Sequence, residues 1–220
     1  MQKIVIFGTG ELAQRIFYYL KDSDDEVVAF SATKSSIDSN ELLGLPVVAF
    51  EDINKKYPPS EFAMFIALAY SEMNKKRSTF FDEAKSKGYE LYSFIHPSTK
   101  IWDEFEMGEN CFILAGNIIQ PFVKIGDNVM IGSNNLISHN TIIENNCFLT
   151  SNITLGGHIT IGANSFIGLS ATINQRVKIG EECIIGAGTL ITKNVNDKEV
   201  YAENSSKKLP QSSSEIGDMI

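Results

Sequence analysis

The sequence predicts a small α/β domain with a parallel βαβ sheet, followed by a parallel β-helix built of hexapeptide repeats. Two observations carry this. In the first ninety or so residues, apolar runs of strand length alternate with helical patterns. From Ile95 onward, every sixth residue is a large aliphatic: Ile95, Ile101, Met107, Ile113 and so on to Ile191, seventeen positions without a break. A hexad of this kind is the signature of a β-helix.

The elements follow in chain order. "KIVIFGTGELAQRIFYYL" reads as a buried strand, a glycine turn and an amphipathic helix. "EVVAF" is a second strand, "FAMFIAL" a third, and "SEMNKKRSTFFDEAKSKGY" a polar-faced helix. Alternating strands and helices imply a parallel sheet. The domains expected are 1–90 for the α/β part, 91–195 for the repeats, and 196–220 for a partly flexible C-terminal tail.

Gly8-Thr9-Gly10-Glu11-Leu12-Ala13 fits a GxGxxA dinucleotide fingerprint, following a strand and opening a helix. The second strand ends at Ser31, however, where a dinucleotide site wants an acidic residue for the ribose. This argues against NAD. A smaller phosphate-bearing ligand at the helix N-terminus and a turn that merely packs helix on strand both stay open.

Three hexads make a triangular coil of about eighteen residues, each wall pairing with the same wall of the next coil. Four residues after each aliphatic comes a second interior position, held by Thr99, Cys111, Val123, Thr141, Cys147, Ala171 and others of similar size. Cys111, Cys147 and Cys183 are therefore core residues, and no cysteine or histidine spacing suggests a metal site. Asn117 and Asn135, one coil apart, read as a buried amide ladder. Glycine follows the aliphatic at Gly108, Gly126, Gly156 and Gly162 among others, where sharp corners are expected. Handedness is not legible from the period.

Composition narrows the function. The chain has 220 residues, 43% hydrophobic and 21% charged, which is globular. A net charge of −8 argues against a general grip on nucleic acid, which demands a basic stripe. No apolar run reaches the roughly 18 residues of a membrane span, and the apolar start is too short for a signal peptide, so a cytoplasmic protein is expected.

A Gly-rich βαβ domain, then "SFIHPSTKI", then an unbroken hexapeptide run resembles the family of sialic-acid O-acetyltransferase-like and nucleotide-amino-sugar N-acetyltransferases. The resemblance implies a left-handed β-helix, a homotrimer, acetyl-CoA in the cleft between neighbouring helices, and a nucleotide-linked amino-sugar gripped partly by the first domain. It implies a histidine general base, matched by His139. That residue lies between interior Ile137 and interior Thr141 and so points outward. Acetyl transfer needs such a base to take a proton from the attacking group. The resemblance also implies a glycine N–H for the oxyanion, and Gly157 lies eighteen residues on in the same column.

Asn140 follows His139 where many relatives have an acidic residue; it fixes a tautomer by hydrogen bonding without stabilising imidazolium, and Glu144 is an alternative carboxylate partner. His158, Lys193 and Lys207 join Gly157 as candidate acetyl-CoA contacts. Gly8, Thr9, Gly10, Ser31, Asn74 and Arg77 are the candidate substrate contacts, since ligands of parallel sheets sit at the strands' carboxyl ends. His96 reads as structural, at the joint between domains.

The expected reaction is direct acetylation of a nucleotide-activated amino-sugar for surface polysaccharide or glycan synthesis, since no cysteine or serine stands beside a base as nucleophile. Two alternatives stay open at this level: O-acetylation of a sialic-acid-like sugar, and a non-catalytic trimeric sugar-binding scaffold.

Overall fold

In a computed structural model describing residues 1–202, the repeats form a left-handed parallel β-helix with three walls. The first wall runs in six strands from Lys100–Ile101 to Leu190–Ile191, and the second in five from Glu106–Met107 to Lys178–Ile179. The third runs in seven, from Phe94–Ile95 to Val200–Tyr201. Each two-residue strand pairs in parallel with the strands one coil away, as Leu136 does with Ile118 and Thr154. The hexad aliphatics from Ile113 to Ile191 form one buried stack, and the three cysteines are buried with them. Asn117 and Asn135 are buried as well. Asn117 Oδ1 accepts the Asn135 amide at 2.9 Å and Asn135 Oδ1 the Ile153 amide at 2.7 Å, so this ladder links side chain to backbone up the wall.

The corners differ from the expectation. The glycines that follow the aliphatics do not make them; the turn comes two residues later, in a left-handed residue. Asn128, Asn134, Asn140, Asn146, Asn152 and Asn164 hold it at φ between 56° and 63°, a region asparagine tolerates better than most residues. The glycines answer instead to the closeness of the coils. A Cβ at Gly156 would lie 2.6 Å from the Gln175 amide nitrogen, and one at Gly162 would lie 2.5 Å from the Gly180 carbonyl carbon.

The α/β region comprises β1 (Lys3–Phe7), α1 (Glu11–Lys21), β2 (Glu26–Ala32), β3 (Glu41–Leu42), β4 (Leu45–Ala49), α2 (Ile53–Lys56), β5 (Ala63–Ile66) and α3 (Lys75–Ser86). The sheet order is β3-β4-β2-β1-β5, parallel except for the short β3–β4 pair. β4 was not among the predicted strands: Pro46 stands within it, which weakens a strand pattern.

This region sits on the third wall for a reason written at a longer period. The outward residue of each third-wall strand is Phe94, Phe112, Met130, Phe148, Phe166, Ile184 and Val200 in turn, whereas the other two walls put Lys, Glu and Thr among their outward positions. Phe94, Phe112 and Met130 share one buried cluster with Ile4, Ile6, Ile16 and Phe65 of the α/β region. The Phe65 and Phe112 rings lie 5.5 Å apart, and Tyr70 covers Phe148 at 5.2 Å and Phe166 at 4.9 Å. Aromatic burial of this extent is a strong adhesive.

A polar joint completes the seating. Arg77 of α3 is fully buried. Its Nη2 donates to the carbonyls of Asn146 at 2.9 Å, Asn128 at 3.1 Å and Cys147 at 3.2 Å, and its Nε donates to Asn128 Oδ1 at 3.1 Å. Nη1 donates to Asn74 Oδ1 at 3.0 Å and to the Ala69 carbonyl at 3.1 Å. Asn74 Nδ2 in turn reaches the Asn164 carbonyl at 3.2 Å. The corner amides Asn110, Asn128 and Asn146 are linked side chain to side chain at 2.7 and 2.8 Å, and Asn110 Oδ1 takes the Ile66 amide at 2.8 Å. Burial pulls the Arg77 guanidinium down to about 10, which leaves it charged at neutral pH. The expectation that Asn74 and Arg77 contact substrate is corrected here: both are buried, and their donors are spent on oxygens of the protein itself.

Replacing Arg77 by Met strands the Asn128, Asn146 and Cys147 carbonyls, and stability in urea unfolding is expected to fall by about 3 kcal/mol. Arg77→Lys should recover only part, because one ammonium cannot span the guanidinium's fork.

Candidate active site

The corner between the first and second walls is chemically unlike its two counterparts. The corner after the second wall carries Asn110, Asn128, Asn146 and Asn164 in the left-handed position, then Glu182 and Lys198; the corner after the third carries Gly116, Asn134, Asn152, Ser170 and Gly188. The corner after the first carries Glu104, Phe122, Asn140, His158 and Arg176. A left-handed conformation costs an ordinary residue roughly 1–2 kcal/mol, and strain of this sort gathers at functional sites.

His139 stands on this edge, exposed, with its backbone N–H bonded to Gln120 Oε1 at 3.0 Å. Its Nδ1 lies 3.0 Å from Asn140 Oδ1. A carboxamide oxygen only accepts, so this bond requires the proton on Nδ1 and leaves Nε2 with a free lone pair. Asn140 is thus placed to hold one tautomer of the ring. Glu144 does not serve His139: its carboxylate accepts the Ala163 amide at 3.1 Å.

One coil on, Gly157 lies directly against the imidazole. A Cβ there would be 2.7 Å from both Cε1 and Nε2 of His139, so any other residue would displace the ring. The Gly157 carbonyl takes the Arg176 amide at 2.9 Å, while its own N–H has no acceptor among the described residues. The His158 ring meets His139 edge to face at 5.1 Å. Lys193 stands exposed at the same corner in the last coil, where neighbouring Asn194 bonds the Lys178 amide. The fold therefore brings His139, Asn140, Gly157, His158 and Lys193 to one edge. Arg176 belongs with them and was missed, although it lies eighteen residues beyond His158 in the same column. Lys207 lies outside the described residues.

The substrate candidates of the first domain are elsewhere. Gly8 (φ 125°) lies where a Cβ would meet the Ala67 carbonyl oxygen at 2.9 Å, so the turn needs glycine for conformation and for space. Gly8, Thr9 and Gly10 line a cleft of about 170 Å³ at the start of α1, together with Ala32, Thr33 and Lys76. Ser31 is not part of it. It is fully buried and its Oγ has no partner among the described residues, while the next residues of the chain, Ala32 and Thr33, reach the cleft. Lys76 was missed in favour of its neighbour Arg77; the first turn of α3 sends one into the cleft and the other inward. His96 is structural, its Nδ1 closing a local turn with Ser98 Oγ at 2.9 Å. Because the α/β region covers the third wall, this cleft and the His139 edge lie on opposite sides of the helix in one chain.

Burial pushes the Cys111 and Cys147 thiols up to about 12 and raises that of Cys183 as well. None is a thiolate at neutral pH, and none reaches the edge. Thiol reagents are expected to leave the native protein unlabelled and to modify all three cysteines only after unfolding. Gly157→Ala is expected to lower turnover of any reaction at His139 by about 10², with an unchanged circular dichroism spectrum, because a misplaced base loses alignment.

A family profile described as the GMPPB C-terminal domain matches residues 107–213. No curated protein matches the chain in sequence. Similar solved structures include a variant of perosamine N-acetyltransferase from Caulobacter crescentus, with one histidine replaced by asparagine, in complex with CoA and GDP-perosamine. It is 24% identical over 91% of this chain and 93% of that one, at TM-score 0.81. PerB from Caulobacter crescentus, in complex with CoA and GDP-perosamine, is 25% identical over 91% and 93% of the two chains, at TM-score 0.80. The acetyltransferase domain of PglB from Neisseria gonorrhoeae, in complex with acetyl coenzyme A, is 20% identical over 94% and 99%, at TM-score 0.79. The shared fold spans both the α/β region and the β-helix.

Proposed function

We propose that the protein is an acetyl-CoA-dependent N-acetyltransferase whose acceptor is the amine of a nucleotide-linked amino-sugar. The observation that carries this is the His139–Gly157 pair: an imidazole with one ring nitrogen committed to Asn140 and the other free, standing against a glycine whose backbone N–H has no acceptor among the described residues. The solved structures holding CoA with GDP-perosamine, and acetyl coenzyme A, on the same fold support the reading.

Transfer is direct. The acceptor nitrogen attacks the thioester carbonyl and forms the new C–N bond while its proton passes to His139 Nε2. The Gly157 N–H donates to the developing oxyanion, which a fixed dipole stabilises without reorganisation. Collapse breaks the C–S bond, and the CoA thiolate takes the proton from the imidazolium. With coils roughly 4.8 Å apart, Arg176 lies one coil and Lys193 two coils beyond Gly157, so the edge offers cations along an extended CoA arm.

The nucleotide end belongs at the Gly8–Gly10 cleft, where the N-terminus of α1 and Lys76 both favour phosphate. A cleft and a base on opposite sides of one chain are joined when a second copy brings its cleft to the first copy's edge, which a homotrimer provides. No helix among the described residues is long and apolar enough to cross a membrane. We place the reaction in the cytoplasm, serving surface polysaccharide or glycan synthesis.

The test is thiol release from acetyl-CoA with GDP-perosamine, other nucleotide-linked 3-amino and 4-amino sugars, and free sialic acid. Release with an amino-sugar is expected, and His139→Ala should lower kcat by about 10² or more. An equal rate in that variant would remove His139 as the base, and release only with sialic acid would make this an O-acetyltransferase.

A further inference from the structure

Phe122 occupies the left-handed position of the coil immediately before His139 and Asn140, at φ 64°, and is 52% exposed. An aromatic residue there bears the conformational cost without the compensation of burial. Asparagine, common at the other corners, would bear less of it. A local preference broken without structural return marks a position shaped by something outside the chain.

The coil that presents Phe122 also sets the base. Gln120 Oε1 holds the His139 amide at 3.0 Å, and the Pro121 carbonyl accepts the Asn140 amide at 3.2 Å. Ile118, on the first-wall strand of the same coil, is 41% exposed and adds apolar surface leading to the corner. The residues suited to an acyl donor, Gly157, His158, Arg176 and Lys193, all lie toward the C-terminal coils. The side of His139 that faces Phe122 is left to the acceptor. One coil step, roughly 4.8 Å, is about the breadth of a sugar ring.

We propose that Phe122 is a specificity-determining contact for the acceptor, its ring packing against the apolar C–H face of the amino-sugar so that the amine meets His139 Nε2. Aromatic faces suit this, offering a large apolar area with few rotatable bonds. The inference rests on the acetyltransferase reading and goes beyond it by assigning acceptor recognition to an apolar platform on the β-helix.

Phe122→Asn separates recognition from stability, because asparagine fits the left-handed corner. Steady-state kinetics with acetyl-CoA and GDP-perosamine, or whichever amino-sugar of the panel is turned over, would be run for the unmodified protein, Phe122→Asn and Phe122→Tyr. The expected result for Phe122→Asn is an acceptor KM raised at least tenfold, an acetyl-CoA KM within twofold, and a Tm equal to or above that of the unmodified protein; Phe122→Tyr should stay near it. An unchanged acceptor KM overturns the inference alone. So does a fall in Tm with loss of oligomer by light scattering, which would make Phe122 an assembly contact. No thiol release by the unmodified protein with any acceptor overturns the acetyltransferase reading, and this inference with it.

Discussion

The spacing of parallel strands, roughly 4.8 Å from coil to coil, governs this molecule. Once successive coils register at that distance, whatever stands in one coil stands against its equivalent in the next. Aliphatics stack on aliphatics, Asn117 reaches Asn135, and the glycines after the aliphatics are required because a Cβ would enter the coil above. The same closeness makes the site. His139 and Gly157 are far apart in covalent terms yet in contact, because they hold equivalent places in adjacent coils.

The third wall turns this linear stack into a two-part machine. Its outward aromatics need cover, and the βαβ region supplies it. Aromatic contacts alone would allow some sliding; Arg77 restricts it by binding carbonyls of two successive coils, and Asn110 ties β5 to the same corner. The consequence is directional. The glycine-turn cleft is fixed on one side of the helix and His139 on the other.

Corners are where folding and function compete. A left-handed residue is needed at every turn, and asparagine or glycine meets that need on two of the three edges over most of the helix. On the remaining edge, after the first wall, Phe122, His158 and Arg176 stand in that position, and only Asn140 both suits the turn and bonds His139 Nδ1. At Asn140 the residue that touches the imidazole is also one the corner prefers.

The hexad from Ile95 to Ile191 by itself determined the β-helix, its buried stack and its core cysteines, because a period that short leaves few ways to hide every sixth side chain. His139 and Gly157 were legible for the same reason, as equivalent positions in adjacent coils. The roles of Arg77, Asn74 and Ser31 were not, since a charged or hydroxyl side chain after a strand reads alike whether it faces a cleft or a buried corner. Lys76 and Arg77 adjoin in sequence, and only the rotation of α3 against the coils sent one to the cleft and the other inward. Which wall the α/β region covers was present as an eighteen-residue apolar period, but its meaning depends on the two domains packing. That packing placed the cleft and His139 on opposite sides, a relation between distant surfaces that no local pattern carries.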